Sequence, residues 1–213
     1  MDPGRGAGQA RSALGSRPVG PSPRRLFVAV PVPAEASASV ASLVEAVRAD
    51  GVPSGGRDVR WVRLDGLHLT VRFLGPVAES RIEAALDAVR AAAAESQAFD
   101  VVISGAGAFP PSGRPRALWL GIRQGAEELG ALAATTDRCL ASRGWDGGGR
   151  PYRAHLTLAR SDGVASGGAI AARLQALAAD VEIAFRAGSV GLFESLTGGG
   201  PARYVPLGMA PLG

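Results

Sequence analysis

Apolar residues follow two rhythms along this chain, and the switches between them lay out the elements. Leu26, Phe27, Val28, Ala29 and Val30 form an unbroken apolar run closed by Pro31 and Pro33, which predicts a short strand buried on both faces. Over residues 34–49 the apolar positions Val40, Leu43, Val44 and Val47 fall at i, i+3, i+4 and i+7, one face of a helix. After a Gly/Pro/Ser loop at 51–56, residues 59–74 are rich in β-branched, aromatic and alternating positions. One or two strands are expected there, ended by Gly75-Pro76. Helical spacing returns over 78–96 with Ile82, Leu86 and Val89. Residues 99–104 and 117–122 read as strands around a loop holding Pro110, Pro111 and Pro115.

The second half repeats the theme: a helix near 126–142, a strand at 154–160, a helix near 168–179, and strands near 181–193 and 203–207. This is an α+β pattern. Each half offers a helix-strand-helix series with a histidine-bearing strand in its middle, which suggests a diverged internal duplication. Residues 1–23 hold Gly, Ala, Ser, Pro and Arg with no apolar period and are expected to be a disordered tail, leaving 24–213 as a single domain.

Composition narrows the setting. At 46% hydrophobic and 20% charged residues, the chain can build a core without covalent staples. Its single cysteine, Cys139, cannot form an internal disulfide and is expected to be a buried thiol. There is no apolar leader and no run of membrane-spanning length, so a reducing cytosol is the expected compartment and no membrane the expected partner. Every basic side chain is Arg, the net charge is +4 and the isoelectric point is about 10.4. The balance favours an anionic partner, whether nucleic acid, free nucleotide or an acidic protein surface.

Only two histidines occur, and each opens the same pattern: His68-Leu69-Thr70-Val71 and His155-Leu156-Thr157-Leu158. With five Thr in the chain, both histidines have a Thr at i+2 by chance only about once in two thousand. On a strand, His and Thr at i and i+2 share a face while the aliphatic residues point to the other, giving one reactive and one core face. Two facing imidazoles suit the opening of a cyclic phosphate. One deprotonates water, the other protonates the leaving oxygen, and a pKa near 6.5 lets one be neutral while its partner is charged. Each Thr hydroxyl can hold non-bridging phosphate oxygens. The histidines lie 87 positions apart, with no H-E-x-x-H, C-x-x-C or acidic cluster beside either, so neither a metal nor any other cofactor is expected.

The paired H-x-T-aliphatic motifs resemble the 2H phosphoesterase superfamily, and within it the RNA 2',3'-cyclic phosphodiesterases once called 2'-5' RNA ligases. The likeness extends to Arg25-Leu26-Phe27-Val28-Ala29, Arg72-Phe73-Leu74-Gly75, Leu118-Trp119-Leu120-Gly121, Pro151-Tyr152, Ala159-Arg160 and Tyr204-Val205-Pro206-Leu207. Ala154 departs from it, standing where similar proteins often carry Pro. The resemblance implies a bilobal fold with two antiparallel sheets facing across a central cleft and helices outside. It implies His68 as proton donor to the leaving 3' oxygen, His155 as proton acceptor from water, and a 2'-phosphomonoester product. The local residues by themselves do not separate the two roles. It also implies RNA or a nucleotide with a 2',3'-cyclic phosphate end as partner, and a monomer without an obligate protein partner.

Strand parity puts Arg72 on the face of His68 and Thr70, within reach of substrate; Arg160 has the parity opposite to His155, yet it lies at a strand end where the chain turns, and the resemblance favours it as an anion contact. Phe27, Phe73, Trp119 and Tyr152 are read as core aromatics or base-stacking platforms. Three functions fit the residues: cyclic phosphate hydrolysis, the same chemistry on 2'-5' linked oligonucleotides or a cyclic phosphate of ADP-ribose, and an RNA-end binding module without turnover.

Overall fold

The first apolar run is the centre from which the architecture grows. In the computed structural model, which describes residues 22–49, 59–147, 149, 151–161, 166–198 and 200–213, this run lies in β1 (Arg24–Pro31). Leu26, Val28 and Val30 join the main core, while Phe27 and Ala29, equally buried, face the other way. β1 pairs with β3 (His68–Val77) on one side and β8 (Ser189–Gly198) on the other, and β9 (Gly200–Pro211) completes an antiparallel sheet of order β3-β1-β8-β9. A second antiparallel sheet has the order β2-β6-β5-β4-β7, from β2 (Val59–Trp61), β4 (Phe99–Phe109), β5 (Ala117–Gln124), β6 (His155–Ser161) and β7 (Glu182–Ala187).

Helices α1 (Ala34–Ala49), α2 (Ile82–Ala94), α3 (Ala126–Ala141) and α4 (Ser166–Ala178) cover the sheets. The chain weaves between the two layers. α1 leaves the four-stranded sheet yet packs on α4 and β7 of the other, whereas α3, bounded by strands of the five-stranded sheet, packs on α2 and β3. One apolar cluster runs through both sheets, from Val28 and Leu192 to Leu118 and Leu156. No helix among the described residues is long and apolar enough to cross a membrane.

Most element boundaries agree with the apolar pattern to within a few residues, and α1 spans the same residues as the helical period. Three differ. Gly75-Pro76 does not end β3, which continues to Val77. Leu74 is an extra residue opposite β1, and Gly75 takes φ +74°, a bulge that lets Pro76 pair with Arg25 on an edge strand, where a missing N–H is tolerated. Residues 181–193 hold two strands of different sheets, parted at Gly188. The strand expected at 203–207 is the middle of the longer β9. The expected tail, apart from Ser22 and Pro23, and the loop at 51–56 lie outside the described residues.

Candidate active site

Each H-x-T motif supplies its strand with one core face and one cleft face. Leu69 and Leu156 have no solvent exposure, whereas His68, Thr70, His155 and Thr157 are half-buried along the gap between the sheets. The rings are locked alike: Nδ1 of His68 donates to the Gly66 carbonyl at 2.7 Å, and Nδ1 of His155 donates to the Arg153 carbonyl at 2.8 Å. A carbonyl can only accept, so Nδ1 carries the hydrogen in both rings and Nε2 is left to exchange protons.

Both motifs also end in the same irregularity. On β3, Thr70 pairs with Ala29 and Arg72 with Val28, so Val71 is an extra residue; on β6, Thr157 pairs with Trp119 and Ala159 with Leu118, so Leu158 is extra. A bulge shifts parity by one for everything beyond it. Arg72 therefore departs from the face that simple alternation gives it. Its guanidinium forms an ion pair with Asp137 of α3 at 2.7 Å and donates to the Asp146 carbonyl at 2.6 Å. Arg160 is turned the opposite way: Leu158 and Ala159 are both buried, and Arg160 lines the cleft with Thr157.

The cleft consists of two adjoining cavities that share Thr70 and Phe73. The first, about 430 Å³, holds His68, Thr70, Thr157 and Arg160, so residues from both sheets meet around it. The second, about 640 Å³, holds His155 with Arg72, Asp137 and Tyr152. No carboxylate among the described residues lines the first cavity. Among the described residues, no group of three or more His, Cys, Asp or Glu side chains comes together anywhere.

The rings' surroundings differ. His68 lies 4.7 Å from Phe27 and 4.7 Å from Tyr204, edge-on to the latter, with Phe193 behind. Burial pushes its pKa below the ordinary imidazole value; the Gly66 hydrogen bond opposes this and the nearby Arg160 charge adds to it. His155 is flanked by Phe109 at 5.5 Å and Trp119 at 6.4 Å, both edge-on. Trp119 lies over Gly107, its cross-strand partner, where any β-carbon would strike the indole. Of the four aromatics singled out in the sequence, Phe27 is buried against His68, Trp119 and Tyr152 are half-buried, and Phe73, 62% exposed, stands at the wall between the cavities. Cys139 is buried beside Glu95. The alternation of apolar residues gave no sign of Phe109, Phe193 or Tyr204 beside the histidines, because they arrive on other strands.

Residues 30–199 match the model of the 2'-5' RNA ligase superfamily. The chain is similar to the RNA 2',3'-cyclic phosphodiesterase of Aeropyrum pernix, with 33% identity over 134 residues, 63% of this chain and 74% of that protein. It is similar to the Escherichia coli K12 protein of the same name, with 33% identity over 138 residues, 65% of this chain and 72% of that one. Among solved structures, Escherichia coli LigT complexed with 3'-AMP superposes with a TM-score of 0.66 at 29% identity, covering 89% of this chain and 98% of LigT.

Proposed function

The chain belongs to the 2'-5' RNA ligase superfamily, and from that premise we propose that it hydrolyses 2',3'-cyclic phosphate ends of RNA or nucleotides to 2'-phosphomonoesters by metal-independent acid–base catalysis. The observation that carries this reading is the matched pair of imidazoles, each with Nδ1–H held by a backbone carbonyl two residues earlier, on strands that bound one continuous cleft.

In the proposed reaction, Nε2 of His155 takes a proton from water as the water oxygen attacks phosphorus. The bond from phosphorus to the 3' oxygen breaks, and that oxygen takes the proton held on Nε2 of His68. The 2' ester remains, and exchange with solvent resets both rings. Thr70, Thr157 and Arg160 hold the non-bridging oxygens, and among the described residues no carboxylate lines the cavity to compete with them for Arg160. Burial leaves His68 neutral at lower pH than a free imidazole, so the acid role requires the anionic phosphate to draw a proton onto it. That is the direction in which a nearby negative charge acts. Phe73 offers an exposed face for a base. Arg72, held by Asp137, supports the wall of the His155 cavity. The proposed setting is the reducing cytosol, with RNA as partner, no membrane and no obligate protein subunit.

The test is turnover of a 2',3'-cyclic nucleotide and of an RNA bearing that end, in the presence of EDTA, with the product isomer identified. A single 2'-monoester formed at undiminished rate is expected. Abolition by the chelator, or a 3'-monoester product, overturns the reading.

A further inference from the structure

The cleft face of the four-stranded sheet extends beyond the rings beside His68. On β1 the core takes Leu26, Val28 and Val30, so Phe27 and Arg25 share the opposite face, and both line the His68 cavity. β1 has no extra residue against β8: Leu26 pairs with Glu194 and Phe27 with Phe193. The pairing ends at Leu26, and the next residues out on the two strands are Arg25 and Ser195; Ser195 is paired with Tyr204 on β9, and Arg25, Ser195 and Tyr204 all line the same cavity. Arg25 precedes Phe27 by two residues, roughly 7 Å along a strand, and the Phe27 ring lies 4.7 Å from that of His68. Arg25 and His68 thus line one cavity from strand positions whose spacing is on the scale of one ribose-phosphate unit.

Two adjacent arginines have opposite fates here. Arg24 points away from the cleft and is paired with Glu194 at 2.6 Å and Glu79 at 3.5 Å. Among the described residues, Arg25 has no ion pair or side-chain hydrogen bond, and no carboxylate lines its cavity. One charge is neutralised within the fold; the other lines the cavity in which Arg160 is proposed to hold the first phosphate.

We propose that Arg25, assisted by the Ser195 hydroxyl, binds a second phosphate, the one on the 5' oxygen of the nucleoside whose cyclic phosphate is opened. The assignment rests on the cyclic-phosphate reading and deepens it. The preferred substrate is a cyclic phosphate end carrying a 5' phosphate, either the diester of an RNA chain or the monoester of a mononucleotide, rather than a bare nucleoside 2',3'-cyclic phosphate.

The experiment measures kcat/KM for adenosine 2',3'-cyclic phosphate, its 5'-phosphorylated form, and a dinucleotide ending in the cyclic phosphate. It uses the full chain and its Arg25→Ala and Arg25→Lys variants, with thermal melting as the check on folding. The natural chain should favour at least one 5'-phosphorylated substrate by roughly ten- to a hundredfold, the range of a charge-assisted contact. The preference should shrink with added salt, fall to near unity in Arg25→Ala and be partly kept in Arg25→Lys. Preference for the dinucleotide alone identifies RNA as the source, and equal preference for both identifies the phosphate itself. Equal turnover of all three substrates by the natural chain, or a preference unchanged in folded Arg25→Ala, overturns the second site and leaves the cyclic-phosphate reading standing. Turnover of none by the natural chain overturns that reading, and the second site with it.

Discussion

The two histidine strands carry the same four-residue idea in different settings. β3 is an edge strand with its imidazole enclosed by Phe27, Phe193 and Tyr204; β6 lies between β2 and β5 with its imidazole flanked by Phe109 and Trp119. Ring anchoring, Thr position and the bulged aliphatic residue are alike in both, while enclosure and neighbouring charge are not. Two sites with the same local chemistry can take opposite proton roles only if their surroundings differ, and here the difference lies in residues delivered by other strands.

The harshest way to break the pairing is to remove either ring. His68→Ala and His155→Ala should each lower kcat by about two to four powers of ten, and the double variant should fall little below the worse single one, because the rings act as a unit. Steady-state kinetics on a cyclic nucleotide checks this, and a fully additive double variant would show that the rings do not share one reaction. Next come the core partners of the motifs. Leu69→Ala and Leu156→Ala, both at fully buried positions, should each cost about 2–5 kcal/mol in denaturant unfolding, and a much smaller loss at the edge strand would separate the motifs energetically.

The bulges give a sharper contrast. Arg160→Ala should lower kcat/KM by roughly ten- to a hundredfold, as expected for loss of a phosphate contact. Arg72→Ala, which breaks the pair with Asp137, should show mainly in stability, at about 1 kcal/mol. The reverse ranking would mean that simple alternation describes these strands better than the bulges do. The smallest effect concerns pH. If His68 is the acid, its protonated form is required, so kcat/KM should fall as pH rises through a value below the usual 6.5. Arg160→Gln removes one depressing influence and should move that limb upward, only in part, because burial remains. Movement to lower pH would contradict the role of Arg160, and an acidic limb governed by His68 would exchange the two proton roles.

Much of this was legible in the sequence because the relevant periods are short. The i+2 spacing of His and Thr, the aliphatic residues between them and the helical period of 34–49 are local signals, and the structure puts both Thr residues and His68 around one cavity. Strand parity misplaced the two arginines, although the resemblance favours Arg160 as an anion contact. Parity counts residues and cannot register an extra one, so the bulges at Val71 and Leu158 exchanged the faces assigned to Arg72 and Arg160. The consecutive core residues Leu158 and Ala159 are the local trace of that slip. Gly75 misled for a related reason: it reads as a terminator, whereas its positive φ lets an edge strand continue through Pro76. The rings around the histidines come from distant segments, and no local pattern could have joined them.

The route of the chain between its layers has a mechanical consequence. Prying the two walls apart would drag α1 and α3 out of oily contact with the opposite layer, so the gap is set by the same interior that keeps the molecule folded. A ligand therefore enters a mould of nearly constant width instead of being gripped by jaws, and selectivity falls to the lining side chains.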